Sequence, residues 1–99
     1  MIGHESIDVR HIGIVVGTAE GAALCYRTIC REAEGFLGPH AHPEISMHTF
    51  SLGTYLEFIE ADRWVDVAGL LSQSSAKLAR AGAEFIICPN NTLHRVFDA

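Results

Sequence analysis

The stretch V-R-H-I-G-I-V-V-G-T at residues 9–18 decides the fold of this chain. It is a short apolar run rich in β-branched residues, and it ends at Gly17 and Thr18, which is typical of a strand buried in a parallel sheet. Residues 20–34 follow with apolar side chains at helical spacing, and Gly35 is expected to end that helix. A strand that leads directly into a helix predicts a crossover connection to a parallel neighbour.

Two more strands are predicted further along the chain, at residues 45–50 and 84–88. The proline-containing segment 38–43 reads as the loop before the first of them. Because strands alternate with helices, the predicted fold class is α/β, with a parallel sheet of about three strands and flanking helices.

Helical patterns fill the remaining segments. Residues 52–60 are ambiguous and are interpreted as a short helix. Asp62 is placed to cap a longer helix that ends at Gly82, and the serines inside that helix are expected on its solvated face. Residues 93–99 resemble the first turns of another helix.

The size and charge of the chain limit its partners. Ninety-nine residues form one domain, 1–99, and seven Lys and Arg against twelve Asp and Glu give a net charge of −5, which disfavours a nucleic-acid partner. There is no apolar run of the ~20 residues that a membrane span needs, and no secretory signal is visible, so we expect a cytoplasmic protein.

The cysteines and the small sheet add two further expectations. Cys25 and Cys30 lie five residues apart on a predicted helix, ~7.5 Å along its axis, so the thiols are expected to be free. Three parallel strands leave open edges, so the chain is interpreted as an N-terminal fragment of a two-lobe protein or as one partner of a homo-oligomer.

Ligands of open α/β sheets bind beyond the carboxyl ends of the strands, which places the predicted site before any residue is interpreted. Three segments meet there: residues 17–20, 50–52 and 88–92. The helix N-termini at this edge favour an anion such as a carboxylate.

The polar residues after the third predicted strand allow two readings. Asn91 and Thr92 can donate hydrogen bonds to a ligand carboxylate, but the same residue types are also ordinary helix caps. Cys88 can act as a thiolate base near a helix N-terminus, or it can be a buried hydrophobic residue.

Cofactor and metal signals are weak throughout the chain. No dinucleotide or phosphate-loop motif is present, and the single lysine, Lys77, is expected on a solvated helix face, so no cofactor is predicted. His40, His42 and His48 could join Cys88 in a tetrahedral set, but their spacing is unspecific and no metal site is predicted. His94 is a better candidate for orienting a ligand or a neighbouring side chain.

Three blocks of sequence carry a family resemblance. They are I-G-I-V-V-G-T-A-E-G-A-A-L-C-Y-R-T-I-C (12–30), G-P-H-A-H-P-E-I-S-M-H-T-F (38–50) and A-G-A-E-F-I-I-C-P-N-N-T-L-H (81–94). In this order, each at a predicted strand end, they resemble the aspartate/glutamate racemase superfamily, and the resemblance covers most of the chain.

The resemblance implies a cofactor-independent amino-acid racemase. In such proteins two similar α/β lobes hold a small acidic amino acid or related dicarboxylate between them, and each lobe contributes one cysteine. One thiolate removes the weakly acidic α-proton while the opposite thiol returns one, which inverts the centre. This chain resembles the N-terminal lobe, so the second cysteine would lie beyond Ala99.

One position departs from the family pattern. A cysteine directly precedes Asn-Thr in the common motif, whereas this chain has Asn90, whose amide cannot act as a base near neutral pH. The resemblance therefore implies Asn91 and Thr92 as carboxylate-binding residues, Cys88 as a substitute base and Asn90 as a hydrogen-bonding residue.

Thr18 and Ser51 stand at strand ends where family members place ligand contacts. Three alternatives to a racemase remain open. They are a small-acid binding protein without turnover, a related isomerase or decarboxylase of the superfamily, and a stand-alone module that pairs through its sheet edge.

Overall fold

A computed structural model describes residues 10–89 of the chain. The elements in chain order are β1 (Ile12–Val15), α1 (Ala19–Leu37), β2 (Ile45–His48), α2 (Leu52–Glu60), α3 (Trp64–Arg80) and β3 (Phe85–Ile87). Strands β2 and β3 both pair in parallel with β1, in the order β2-β1-β3. The predicted α/β fold with a three-stranded parallel sheet is confirmed, and the helix predicted at residues 93–99 lies outside the described residues.

The core lies on both faces of the central strand because successive residues of a strand point to opposite sides. On one face, Ile14 and Val16 pack with Ala22 of α1. On the other, Val15 packs against α2 and α3 in a group that we call the Tyr55 cluster, which consists of Val15, Tyr55, Val67, Leu71, Leu78 and Cys88. Each fully buried aliphatic side chain of this kind contributes about 1.5–3 kcal/mol.

Two predicted helix boundaries are wrong. Helix α1 does not end at Gly35, because the chain is exposed there and a glycine lowers the stability of a helix only modestly. The helix continues to Leu37, and Gly38 is its C-cap residue. Gly38 has a φ of 106°, a conformation that side chains disfavour, and its N–H donates to the carbonyl of Glu34. Asp62 does not cap α3, because its φ is 58° and its carboxylate accepts from Trp64 Nε1 at 2.6 Å; Arg63 precedes the helix instead.

The remaining helix predictions within residues 10–89 are confirmed, with one exception. Residues 52–60 form α2, and Gly82, with a φ of 104°, directly follows the end of α3. The expectation that all serines of α3 lie on its solvated face is wrong for Ser74, which is completely buried. Ser74 falls on the same helical stripe as Val67, Leu71 and Leu78, so the packing of α3 carries it against the sheet.

Side chains of His11 and Glu84 hold the amino edge of the sheet together. The backbone N–H of His11 donates to Glu84 Oε1 at 2.8 Å, and the N–H of Glu84 donates to the carbonyl of His11 at 2.7 Å. On the opposite side, His11 Nε2 lies 2.7 Å from Ser46 Oγ. One nearly buried histidine therefore links all three strands at the end away from the predicted site.

None of the helices within residues 10–89 combines the length and apolar character that a bilayer span requires. The three cysteines all lie in this range, and none of them forms a disulfide, as predicted for Cys25 and Cys30. Lys77 is exposed on α3, also as predicted.

Candidate functional site

The carboxyl edge of the sheet gathers three of the predicted site residues. Because β1, β2 and β3 run parallel, Thr18, Ser51 and Cys88 follow the strand ends on the same side of the sheet. The other predicted site residues, Asn90, Asn91 and Thr92, lie outside the described residues, as does His94. Their roles remain predictions.

Thr18 forms the start of α1. Its backbone is extended, and its Oγ1 accepts a hydrogen bond from the N–H of Gly21 at 3.1 Å, which caps the helix. A Cβ at Gly21 would lie 2.8 Å from Thr18 Oγ1 and 3.7 Å from the carbonyl oxygen of Pro89. The first turn of α1 therefore lies directly against the segment that leaves β3, so two of the three predicted loops meet.

Ser51 occupies the corresponding position before α2. Its side chain is exposed and makes no capping hydrogen bond, while its carbonyl accepts from the N–H groups of Thr54 and Tyr55 at 3.0 and 3.4 Å. The helix therefore does not use the Ser51 hydroxyl. Its role as a ligand contact remains a prediction.

Cys88 lies at the predicted edge, but its side chain is only 7% exposed and packs inside the Tyr55 cluster. The packing of Cys88 thus agrees with the alternative that it is a buried hydrophobic residue. Whether the thiol also acts as a base depends on the groups that surround it. Among the residues of this hydrophobic cluster, Tyr55 carries a hydroxyl.

Tyr55 is a polar residue that the sequence patterns did not single out. It is 1% exposed, and among residues 10–89 its hydroxyl has no hydrogen-bond partner. Burial, and after it the negative charge that Cys88 carries when deprotonated, raises the pKa of Tyr55 above its ordinary value. The hydroxyl therefore keeps its proton near neutral pH.

His48 ends β2 and contacts α3. Its Nδ1 lies 2.6 Å from Ser74 Oγ, and that hydroxyl in turn donates to the carbonyl of His48 at 3.3 Å. Because the Ser74 hydroxyl proton is used in the bond to the carbonyl, the hydrogen bond between Nδ1 and Ser74 Oγ is donated by Nδ1. A neutral His48 therefore carries its ring proton on Nδ1. Burial, followed by the charge of Lys77, lowers the pKa of His48, so the ring is neutral near pH 7.

The histidines do not assemble a metal site in the part of the chain that the structure describes, where no group of three or more potential ligands is found. His48 is engaged with Ser74 and packs edge-on against Phe50 at 4.9 Å between ring centroids. His40 is almost fully exposed, and His42 Nδ1 lies 2.7 Å from the carbonyl of Pro43.

A shallow groove also runs along α3, lined by Ala and Ser side chains of that helix, by Leu71 and by Ile86. Thr18, Ser51 and Cys88, the predicted site residues that the structure describes, do not line it. The groove is therefore separate from the carboxyl edge, where the three loops begin.

The open three-stranded parallel sheet with flanking helices places the chain in the α/β class, and in open α/β sheets it is the carboxyl edge where ligands generally bind. No family model matches the chain. Its structure is similar to that of a Yersinia pestis protein described as a "putative Asp/Glu Racemase", with a TM-score of 0.86 and 26% sequence identity.

The match covers 91% of this chain and 40% of the Yersinia protein. The resemblance to the aspartate/glutamate racemase superfamily is thereby confirmed, over a length that corresponds to a single lobe.

Proposed function

We propose that this chain is the N-terminal lobe of a cofactor-independent racemase that interconverts the enantiomers of a small acidic amino acid. The observation that carries the proposal is the similarity to the Yersinia protein over 91% of the chain. The meeting of the loops after β1 and β3 at the carboxyl edge supports it further. A cytoplasmic location remains part of the proposal.

Racemisation at a carbon next to a carboxylate needs one group to remove the α-proton and a second to deliver a proton to the opposite face. Cys88 is proposed as the group that this lobe supplies, and a second lobe would supply the other. The proposed contacts to the substrate carboxylate come from Asn91 and Thr92, with further hydrogen bonds from Asn90 and Ser51. Thr18 contributes by fixing the start of α1, because its hydroxyl oxygen already caps that helix.

A second lobe is part of the proposal because the chain spans only 40% of the structure that it matches. A single lobe presents one side of a ligand to protein and leaves the other in water. In water the electrostatic stabilisation of a developing carbanion is weak, so closure between two lobes is expected to be needed for turnover.

The test is exchange of the α-proton in D2O, followed by proton NMR with both enantiomers of aspartate and of glutamate. The full-length gene product is compared with its Cys88→Ala variant. Cys30→Ala is the matched control, because Cys30 lies on α1 and away from the strand ends. We expect exchange with the unmodified protein and with the control, and loss of exchange with Cys88→Ala.

Each other outcome selects a different conclusion. Exchange that survives Cys88→Ala would move the base to another residue. Isomerisation or decarboxylation of another small acid, without exchange of aspartate or glutamate, would select a different reaction of the superfamily. Absence of any turnover would refute the racemase proposal.

A second candidate is a small-acid binding protein without turnover. Two observations favour it: the motif position of the family cysteine holds Asn90, and Cys88 is buried in an apolar cluster. Saturable binding of aspartate or glutamate by calorimetry, combined with no proton exchange, would select this function.

A further inference from the structure

We propose that the groove along α3 is the docking site for the segment that follows β3, residues 93–99, bound there as the first turns of a helix. The inference goes beyond the proposed function, because it concerns how the lobe is completed and not which reaction it catalyses. Three observations support it: the lining of the groove, the topology of the sheet and the sequence pattern of the segment, which itself lies outside residues 10–89.

The lining of the groove suits another helix. Ser72, Ala76 and Ala79 are exposed and fall on one stripe of α3, and Leu71 and Ile86 also line the groove. No residue of α1 or α2 lines it in the part of the chain that the structure describes. None of its described lining residues is charged, so it lacks the groups that hold a small acid, whereas small side chains let a second helix approach α3 closely.

The free edge of β3 lies beside this groove. In the order β2-β1-β3, one side of β3 pairs with β1, and no strand within residues 10–89 pairs with the other side. Helix α3 packs mainly on β1 and β2, so Ile86 of β3 stays half-buried at the side of α3. An unpaired edge strand is a position where a further part of a protein adds to a sheet.

The handedness of the crossovers determines on which face a helix after β3 lies. Helix α1 connects β1 to β2 on one face of the sheet, and α3 lies on the other face in the connection from β2 to β3, which runs in the opposite direction across the sheet. Both connections agree with the right-handed rule. A right-handed crossover from β3 to a further parallel strand at its free edge continues in the second direction, so its helix lies on the α3 face, beside the groove.

The sequence of the segment matches this position. Leu93, Val96 and Phe97 stand at i, i+3 and i+4, so in a helix they form one apolar stripe that can face α3. A helix that leaves β3 at the carboxyl edge runs back beside α3 in the same direction as α3. Seven residues of helix are ~10.5 Å long, so the segment covers the groove from Ala68 to about the level of Ala76.

Docking of the segment also restrains the loop that carries predicted site residues. Asn90, Asn91 and Thr92 lie between Pro89, which follows β3, and residues 93–99. With the segment held against α3, both ends of this short loop are fixed at the carboxyl edge. The groove thereby acts on the candidate site without lining it.

The experiment is amide hydrogen exchange of the 99-residue chain, followed by mass spectrometry of peptides that contain residues 93–99. Ala76→Asp places a charge in the groove. Ala23→Asp is the matched control, because Ala23 is an exposed alanine of α1, which packs on the opposite face of the sheet. We expect slowed exchange of the segment in the unmodified chain and in the control, and exchange about tenfold faster in Ala76→Asp.

Three outcomes would overturn the proposal. They are equal exchange rates of the segment in the two variants, a segment without protection in the unmodified chain, and protection that increases with protein concentration, which would mean that a second copy of the chain fills the groove.

A second measurement locates the segment directly, without any variant. In the unmodified chain, nuclear Overhauser effects are expected between the Ala76 methyl group and the side chains of Val96 and Phe97. The same effects to Phe85 instead, which is exposed on the α1 side of β3, would place the segment on the other face and refute the inference. Both measurements need no substrate, so a chain with a docked segment but no α-proton exchange in the full-length gene product would refute the racemase alone.

Discussion

Replacing Ser74 by alanine removes the buried link between β2 and α3. Ser74 is completely buried, and its hydroxyl makes two hydrogen bonds to one residue, at 2.6 Å with His48 Nδ1 and at 3.3 Å with the His48 carbonyl. A net contribution of about 1 kcal/mol for each gives a loss of about 2 kcal/mol. Alanine has a higher helix propensity than serine and stabilises α3 by about 0.5 kcal/mol. Ser74→Ala is therefore expected to lower the free energy of unfolding by about 1.5 kcal/mol.

The assay is urea denaturation followed by circular dichroism. Ser72→Ala is the matched control, because Ser72 lies on the exposed side of the same helix and gains the same propensity without losing a buried contact. The two variants should therefore differ by about 2 kcal/mol in the free energy of unfolding. If they agree within about 0.5 kcal/mol, the hydroxyl of Ser74 does not stabilise the packing of α3 on the sheet in the way described.

Two further predictions concern pH and the first helix. The pKa of His48 is lowered in the folded state, so its contribution to stability is present above its ordinary value of 6.5 and is lost as the pH falls through the lowered value. His48→Gln should flatten the stability profile in that acidic window, whereas His40→Gln, which changes a 97% exposed side chain, should not. In α1, Gly21→Ala should leave the thermal midpoint nearly unchanged, because its Cβ would lie 2.8 Å from the capping Oγ1 of Thr18, and weakening a cap that contributes about 1 kcal/mol offsets the about 0.5–1 kcal/mol by which alanine stabilises a helix. Gly35→Ala, with no described atom within 4 Å of the new Cβ, should raise the midpoint by stabilising the helix about 0.5–1 kcal/mol; an equal rise for both variants would contradict the cap argument.

The strands could be predicted from sequence because short β-branched runs between turn residues leave few alternatives. The helix ends could not be predicted equally well. Gly35 and Gly38 are the same residue type three positions apart, and only the path of the chain into β2 determines which of them adopts a positive φ. The prediction that Asp62 caps α3 was wrong for a related reason, since an Asp can either cap a helix or adopt a left-handed turn conformation.

The position of the candidate site at the carboxyl edge could be predicted from the sequence, but the buried polar residues behind it could not. The parallel topology fixes the carboxyl edge, so Thr18, Ser51 and Cys88 could be located without knowing their neighbours. Ser74 and Tyr55 were missed because their importance depends on how α2 and α3 are rotated against the sheet. A signal was present in both cases: each is a polar residue on a helical stripe that is otherwise apolar.

The link that His11 makes across the amino edge also bears on how this fold can change during evolution. With the strands aligned at that end by the contacts of His11 to Glu84 and Ser46, the opposite end need not contribute to alignment. Residues in the loops of the carboxyl edge can therefore be exchanged with little effect on strand pairing. A change of residue type in these loops is then one that the scaffold can tolerate, and new specificities can be selected there without rebuilding the sheet.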